Sequence, residues 1–225
     1  MVRKRNHLCR AARAVFFREG ASDYDVFVQT TRSVYRRIVI AVHLVFHGYG
    51  FWLPNDLRGS GSTEVRKDEL RELGDPHFGR KPDRDQPSRD ELKEFSQHAE
   101  PMLEHELLWF NSKHRQAIGK TFAKVVAQRR YTVYACAILQ NHAHACVRTH
   151  RDRAEDMWHA FAEASQKSLR AFAEVPTNHS IWSHRPYKVF LYTPDEVITR
   201  IDYINGNPKK HHLPPQSWPF ISPFK

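Results

Sequence analysis

Three features of the sequence predict an α+β fold built on a small antiparallel sheet. Apolar, β-branched runs at residues 38–46 and 131–148 predict strands, because such side chains pack well on a pleated surface. Between and after them, apolar residues recur every three or four positions, which is the spacing of an amphipathic helix. The order is strand, long helix, hairpin, helix, short strand, helix. This order predicts a ferredoxin-like antiparallel sheet with helices packed on one face and a further C-terminal helix.

The first half of the pattern contains one strand and one long helix, separated by a polar segment. Residues 38–46 form a nearly continuous apolar run, which is typical of a buried strand. Residues 56–101 are rich in glycine, proline and charge, so we predict a polar insertion or long loop there. Residues 102–130 have apolar side chains at helical spacing and predict an amphipathic helix.

The second half begins with a hairpin. Residues 131–139 are β-prone and are followed, after a two-residue turn, by a second strand-like run that ends at Arg148. A helix is predicted over 154–175, and a short strand or extended segment over 180–192. These elements supply the second, third and fourth strands of the expected sheet.

The last helix has a clear predicted start. Thr193 is a suitable N-cap, Pro194 occupies the first helical position, and Glu196 completes a capping box with Thr193. Pro208 disfavours the helical conformation in the residue before it, so we expect the helix to end by Asn207.

Composition limits the domain organisation and the class of partner. With 225 residues and 40% hydrophobic residues, the chain can bury one sizeable core, and we expect a single domain over residues 34–225. Residues 1–33 are basic and irregular and are expected to form an N-terminal extension. The formal net charge is +10 and the pI about 9.7, which favours a polyanionic partner, nucleic acid before a membrane surface.

The cysteine count and the hydropathy favour a reducing, cytoplasmic location. There are three cysteines, and none forms a Cys-x-x-Cys pair, which argues against both a disulfide framework and a zinc ribbon. No apolar run approaches the roughly 20 residues that a membrane helix needs. We therefore expect a soluble protein without a membrane anchor.

Two histidines in the hairpin are candidate metal ligands. His142 and His144 are separated by one small residue in a strand-like run, so both side chains point to the same face, with Cα atoms roughly 6.5 to 7 Å apart. Ala143 and Ala145 then face the core. Strands also carry histidine pairs on solvated faces, and that interpretation stays open from these residues alone.

The last helix offers a nucleophile and a third ligand. Val197, Ile201 and Ile204 form its apolar stripe, whereas Tyr203 and Asn207 lie one turn apart on a different face. A tyrosine near a metal site suits phosphoryl transfer on DNA, in which the phenol attacks a phosphodiester and forms a covalent 5′-phosphotyrosine. Two imidazoles and an amide oxygen suit Mg²⁺ or Mn²⁺. An ordinary surface tyrosine near a helix end is the alternative.

The motifs and their order resemble a known family, the REP-associated branch of the single-tyrosine transposases of the HUH nuclease superfamily. Residues 141–144, Asn-His-Ala-His, are similar to the family's His-hydrophobic-His motif. Residues 202–209, Asp-Tyr-Ile-Asn-Gly-Asn-Pro-Lys, are similar to the Tyr-Ile-x-x-Asn-Pro signature of this branch. Supporting similarities lie in the first strand and its following loop, before the last helix and after it, at residues 43–54, 56–59, Trp182 and 217–220.

The resemblance implies a metal-dependent transposase that cuts and joins single-stranded DNA beside hairpin-forming palindromic repeats. Tyr203 would be the catalytic nucleophile, and His142, His144 and Asn207 would bind Mg²⁺ or Mn²⁺. The implied partner is DNA, the protein would act as a monomer or homodimer, and its location would be the nucleoid in the cytoplasm. Two alternatives are a domesticated DNA-hairpin-binding protein that no longer cleaves and a structural zinc domain.

Overall fold

The computed structural model describes residues 38–172, 176–184 and 186–225, so the predicted basic extension, 1–33, lies outside the described residues. The described residues form a four-stranded sheet in which every pair is antiparallel and the strand order is β2-β3-β1-β4. This confirms the predicted α+β class and the hairpin. The strands are β1 (Ala41–His47), β2 (Val133–Ile138), β3 (His142–Arg148) and β4 (Tyr187–Leu191).

The described residues contain four α-helices. They are α1 (Arg89–Ala99), α2 (Ser112–Arg129), α3 (Ala154–Phe172) and α4 (Pro194–Lys210). Of these, α2, α3 and α4 pack on the sheet and α1 packs within the segment between β1 and α2. Helices α2 and α3 pack on one face, over a core that includes Phe46, Phe122 and Phe161. Helix α4 packs on the opposite face through Val197 and Ile204. The alternation of side chains along β3 therefore places His142 and His144 on the α4 face, away from α2 and α3.

The long helix is shorter than the sequence predicts. It begins at Ser112 instead of Met102, because the Asn111 side chain caps it by accepting a 2.9 Å hydrogen bond from the backbone N–H of His114. The preceding residues form a 3-10 turn at Glu100–Met102 and then an extended segment. An apolar spacing of three or four residues can continue into such a segment by chance.

Helix α4 starts as predicted but ends later. The Thr193 side chain accepts a hydrogen bond of 3.2 Å from the Glu196 N–H, so the capping box is present. The helix then continues to Lys210 instead of ending by Asn207, and Pro208 lies inside its last turn. Ile204, Asn207 and Pro208 are buried, and this packing outweighs the local preference of the residue before a proline.

The polar segment between β1 and α2 is ordered around a small core of its own. It contains α1 and three 3-10 turns, at Glu69–Leu73, Asp83–Asp85 and Glu100–Met102. Leu53, Val65, Leu70 and Ala99 are buried together within it. A few apolar residues are thus enough to fold a segment whose composition is mainly polar.

The C-terminal segment returns along the outer edge of β2. The Gln216 side chain bonds the backbone of Ile138 twice, accepting from its N–H at 2.9 Å and donating to its carbonyl at 2.7 Å. Further along, the Ser222 N–H donates to the carbonyl of Val133 at 2.8 Å. In the part of the chain that the structure describes, no helix is both long and apolar enough to cross a membrane.

Candidate functional site: a histidine and tyrosine cluster between the sheet and α4

Four histidines lie together on the α4 side of the sheet, and we call them the histidine face: His43 and His47 from β1, His142 and His144 from β3. His47 lies directly opposite His142 in the β1–β3 register, with ring centroids 6.4 Å apart. The rings of His142 and His144 are 4.8 Å apart, and those of His43 and His144 are 5.0 Å apart. The predicted pair is therefore half of a larger cluster.

Hydrogen bonds occupy the same nitrogen of both predicted ligands. His142 Nδ1 lies 2.7 Å from Asn141 Oδ1, which can only accept, so Nδ1 carries the proton and Nε2 is bare. His144 Nδ1 lies 2.9 Å from His43 Nε2. When His144 Nδ1 is the donor in this pair, its Nε2 is also bare. Metal-binding histidines commonly use one nitrogen for the ion and donate the other N–H to a neighbouring acceptor.

All four histidines are held in the neutral form that a metal ligand requires. Burial is the main cause: it lowers the pKa of His43 to about 3, of His47 to about 4 and of His142 to about 3. The pKa of His144 is also well below its usual value, again mainly through burial and then through the neighbouring histidines. Neutral imidazole is therefore the resident form at pH 7.

Helix α4 places Tyr203 beside His43 and His144, at one end of this face. The Tyr203 ring lies edge-on to His144 at a centroid distance of 5.7 Å and to His43 at 6.2 Å. Its side chain is 41% exposed, so the phenol borders both the histidines and solvent. Two cations flank the ring, the Arg200 guanidinium at 5.5 Å and the Lys210 ammonium at 5.0 Å from its centroid. The structure thus brings three predicted residues, Tyr203, His142 and His144, into one cluster.

Asn207 lies between two contacts of α4 with the histidine pair. Tyr203, Asn207 and His211 follow at i, i+4 and i+8 and share one side of the helix. Tyr203 contacts His144, and the His211 ring lies 5.2 Å from that of His142. Asn207 therefore lies on the side of α4 that faces the predicted pair. It is buried, with 3% exposure, and its Nδ2 has no hydrogen-bond partner among the described residues.

The donor set can bind a divalent cation through two imidazole nitrogens and one amide oxygen. His144 Nε2 and Asn207 Nδ2 are both buried and lack hydrogen-bond partners in the described part of the chain, which is costly unless a ligand satisfies them. A half-turn of the carboxamide exchanges its nitrogen for the oxygen that a cation would need. Within the described ranges, no three His, Cys, Asp or Glu side chains converge as metal ligands. An ion here would depend on two imidazoles and one amide, with its remaining ligands coming from water or substrate.

Sequence reasoning missed three histidines of the cluster. His43 was included in the predicted buried strand, 38–46, and His47 follows directly after it, although residues four apart on a strand share a face and could have been recognised by that spacing. His211 was placed beyond the expected end of the last helix. It contacts His142 because α4 continues through Pro208 and brings His211 to its C-cap.

Comparison with known proteins gives likenesses of overall fold at low sequence identity. No protein-family model matches the sequence, and no curated protein shows significant similarity to it. Among solved structures, the chain is similar to a REP-associated tyrosine transposase bound to a REP hairpin, with 16% identity, 84% of this chain and 81% of that chain covered, and a TM-score of 0.41. It is also similar to a Deinococcus radiodurans R1 protein classed as a transposase, with 10% identity, 79% and 94% coverage, and a TM-score of 0.37.

Proposed function

We propose that the protein is a metal-dependent transposase that nicks and rejoins single-stranded DNA beside hairpin-forming repeats. The observation that carries this proposal is the position of Tyr203, partly exposed and in ring contact with His144 and His43. A nucleophile next to two neutral imidazoles and a buried carboxamide is an arrangement that suits metal-assisted phosphoryl transfer to a tyrosine. The order of the sequence motifs, which resembles that of REP-associated tyrosine transposases, supports the same reaction.

In the proposed reaction, the phenolic oxygen of Tyr203 forms an ester bond to phosphorus and the bond from phosphorus to the 3′-oxygen breaks. The phenol loses its proton to solvent, and the departing 3′-oxygen gains one. Arg200 and Lys210 lie beside the ring and would offset the negative charge of the bound phosphodiester. An ion bound by His142, His144 and Asn207 would supply Lewis-acid polarisation of the phosphate. Rejoining reverses these bond changes with a different 3′-hydroxyl as the attacking group.

The charge distribution supports DNA as the partner. Helix α2 contains five lysine or arginine residues and no aspartate or glutamate, and it lies on the sheet face opposite α4. Lys113, Lys120 and Lys124 are exposed and make no ion pair with the other described residues. An unpaired row of cations is suited to the phosphate backbone of nucleic acid. Binding should accordingly weaken as the salt concentration rises.

The decisive experiment is covalent capture. The protein is incubated with Mn²⁺ and a pool of labelled single-stranded oligonucleotides that share a hairpin stem and have randomised loops and flanks. We expect an adduct that survives denaturing electrophoresis, with the DNA mapped by mass spectrometry to the peptide containing Tyr203. Tyr203→Phe should abolish the adduct without changing the thermal unfolding temperature, because only the phenolic oxygen is removed.

Tyr187→Phe is the matched control. Tyr187 is 50% exposed and its ring lies 6.1 Å from that of His47, so among the described tyrosines it is a second one in contact with the histidine face. The Tyr187 variant should retain the adduct. An adduct that persists in Tyr203→Phe and disappears in Tyr187→Phe would reassign the nucleophile. Hairpin binding without any adduct would favour the domesticated, non-cleaving alternative.

A further inference from the structure

The loop that follows β1 holds one arginine in a fixed orientation. Arg58 donates from Nε to Asp56 Oδ1 at 2.8 Å and from Nη2 to Asp56 Oδ2 at 2.6 Å. The guanidinium lies over the Trp52 ring, with Cζ 3.8 Å from the ring centroid. A planar group bonded along one edge and packed against an aromatic ring has little rotational freedom left.

The supports of this arginine are themselves fixed. The Trp52 indole N–H donates to the carbonyl of Gly59 at 3.2 Å, and the Arg58 carbonyl accepts from the Lys81 N–H at 3.0 Å. Gly59 has a φ of +91°, and any Cβ at this position would overlap the carbonyl of Gly79. The loop is therefore packed closely against residues 77–81, and the position of the guanidinium follows from the backbone around it.

The same loop borders the histidine face. The Trp52 ring lies 5.0 Å from the His47 ring, and His47 lies opposite His142. Arg58, Trp52, His47 and His142 thus form a continuous row of contacts that leads to the candidate metal ligands. Tyr203 lies with Arg200 and Lys210 at the end of the face formed by His43 and His144. Arg58 and Trp52 lie beyond the other end, which His47 and His142 form.

Asp56 leaves part of the guanidinium unused. An arginine side chain has five N–H donors, and Asp56 takes two of them. The other three have no hydrogen-bond partner among the described residues, and the side chain is 33% exposed. If Arg58 served only to neutralise the buried carboxylate of Asp56, its three other N–H donors would not need to face solvent. A guanidinium fixed in advance, with free donors, is well suited to a phosphate group.

We propose that Arg58 is a positioning residue that binds a phosphodiester of the DNA strand on the histidine face, away from the phosphate that Tyr203 attacks. The partner class rests on the proposed function. Trp52 supports the guanidinium from below, and Asp56 fixes its orientation. A strand held at Arg58 and at the Arg200–Lys210 pair is anchored on both sides of the histidines, which would align the intervening phosphate with the phenol.

The test measures binding without metal or cleavage. A fluorescein-labelled single strand of twelve thymidines is titrated with protein in EDTA, and Kd is followed by anisotropy over a range of salt concentrations. Arg58→Gln should weaken binding about tenfold at low salt. It should also reduce the slope of log Kd against log salt by about 0.7, the value for one phosphate contact on single strands. Arg71→Gln removes the same charge from an exposed ion pair in the same segment and should leave the slope unchanged.

Two further variants separate binding from folding. Asp56→Asn combined with Arg58→Gln removes both charges, keeps the net charge of the protein and leaves no unpaired buried carboxylate, and it should bind as weakly as Arg58→Gln. Arg58→Lys keeps Asp56 paired but loses outward donors, and should bind severalfold more weakly with an unchanged slope. Wild-type affinity in the double variant or in Arg58→Lys would overturn the proposal.

The outcome is independent of the covalent capture experiment. Weakened thymidine binding in the Arg58 variants, with no adduct formed by the wild-type protein, would refute the proposed function and keep the phosphate site. A Tyr203 adduct in the wild-type protein, with unchanged binding by the double variant, would refute the phosphate site alone.

Discussion

His43 determines which nitrogen His144 can offer to an ion. Its Nε2 lies 2.9 Å from His144 Nδ1, and acceptance of the Nδ1 proton leaves His144 Nε2 bare. Asn141 has the same relation to His142 through a 2.7 Å contact. These two residues orient the candidate ligands without being ligands themselves, and outer partners of this kind commonly change metal affinity by 10–100-fold.

Replacing His43 should therefore weaken metal binding without removing a ligand. We expect His43→Leu to raise the Kd for Mn²⁺ by about 10–100-fold in calorimetric titration. His43→Gln keeps an acceptor for the His144 N–H and should retain more of the affinity. Equal Mn²⁺ affinity in the leucine variant and the wild-type protein would contradict this role.

At the scale of residues, the sequence was sufficient for side chains whose position depends on short-range periodicity. His142 and His144 share a face because strands alternate, and Tyr203 lies off the apolar stripe because helices repeat. The long-range partners could not be predicted in this way. The pairing of His43 with His144 spans 101 residues and depends on the β1–β3 register, which no local pattern specifies.

At the scale of elements, two helical glycines have opposite surroundings. Gly206 lies in α4, and a Cβ added there would meet no atom within 4 Å. Gly119 lies in α2, where an added Cβ would overlap the ring of Trp218 from the C-terminal segment. The helix propensity of alanine favours substitution at both positions equally, so any difference between the two variants in the free energy of unfolding measures the effect of packing.

The two alanine variants should change stability in opposite directions. Gly206→Ala should raise the free energy of unfolding by about 0.5–1 kcal/mol, through the lower backbone entropy of the unfolded chain. Gly119→Ala should lower it by about 1–3 kcal/mol, because Trp218 must move. Urea denaturation of both variants gives the values. Similar stability changes in the two would show that Trp218 does not pack on α2 as described.

The end of α4 shows where element prediction fails. Proline disfavours a helix in the residue before it, yet α4 continues through Pro208 to Lys210. The buried apolar contacts of Ile204 and Pro208 compensate for this local cost. Such compensation comes from the sheet below the helix, and it is visible only once the tertiary structure is known.

At the scale of the whole molecule, the buried histidines link stability to pH. Unfolded histidines take up protons near pH 6.5, whereas burial delays protonation of His43, His47 and His142 in the folded protein to about pH 3–4. Between these values the unfolded state binds more protons, so stability falls as the pH falls. Each such histidine contributes up to about 1.4 kcal/mol per pH unit in this window.

Urea denaturation in EDTA from pH 7.5 to 5 should therefore show a steep loss of unfolding free energy below about pH 6.5. His47→Gln removes one of the imidazoles with a lowered pKa and should make the slope shallower by about one proton. A stability that stays constant over this range would mean that the histidines are already accessible to protons in the folded protein.

The fold class followed from the order of apolar patterns, but the distribution of helices over the two faces did not. Helices α2 and α3 share one face as predicted, and the second apolar cluster, which includes Ala135, Ala137 and Val197, binds α4 to the other. Alanines in a strand are compatible with either a close helix or a solvated surface. Which of the two applies becomes clear only when the face of the sheet that α4 covers is known.

The C-terminal segment has a consequence for how copies of the protein meet. In the described sheet β2 is an edge strand, and such strands expose N–H and C=O groups on which a foreign strand can grow. Gln216 occupies both backbone groups of Ile138, and Ile221 bridges to Val133. The C-terminal segment thereby covers the edge of β2, so a strand from another molecule cannot pair there and aggregation through this edge is disfavoured.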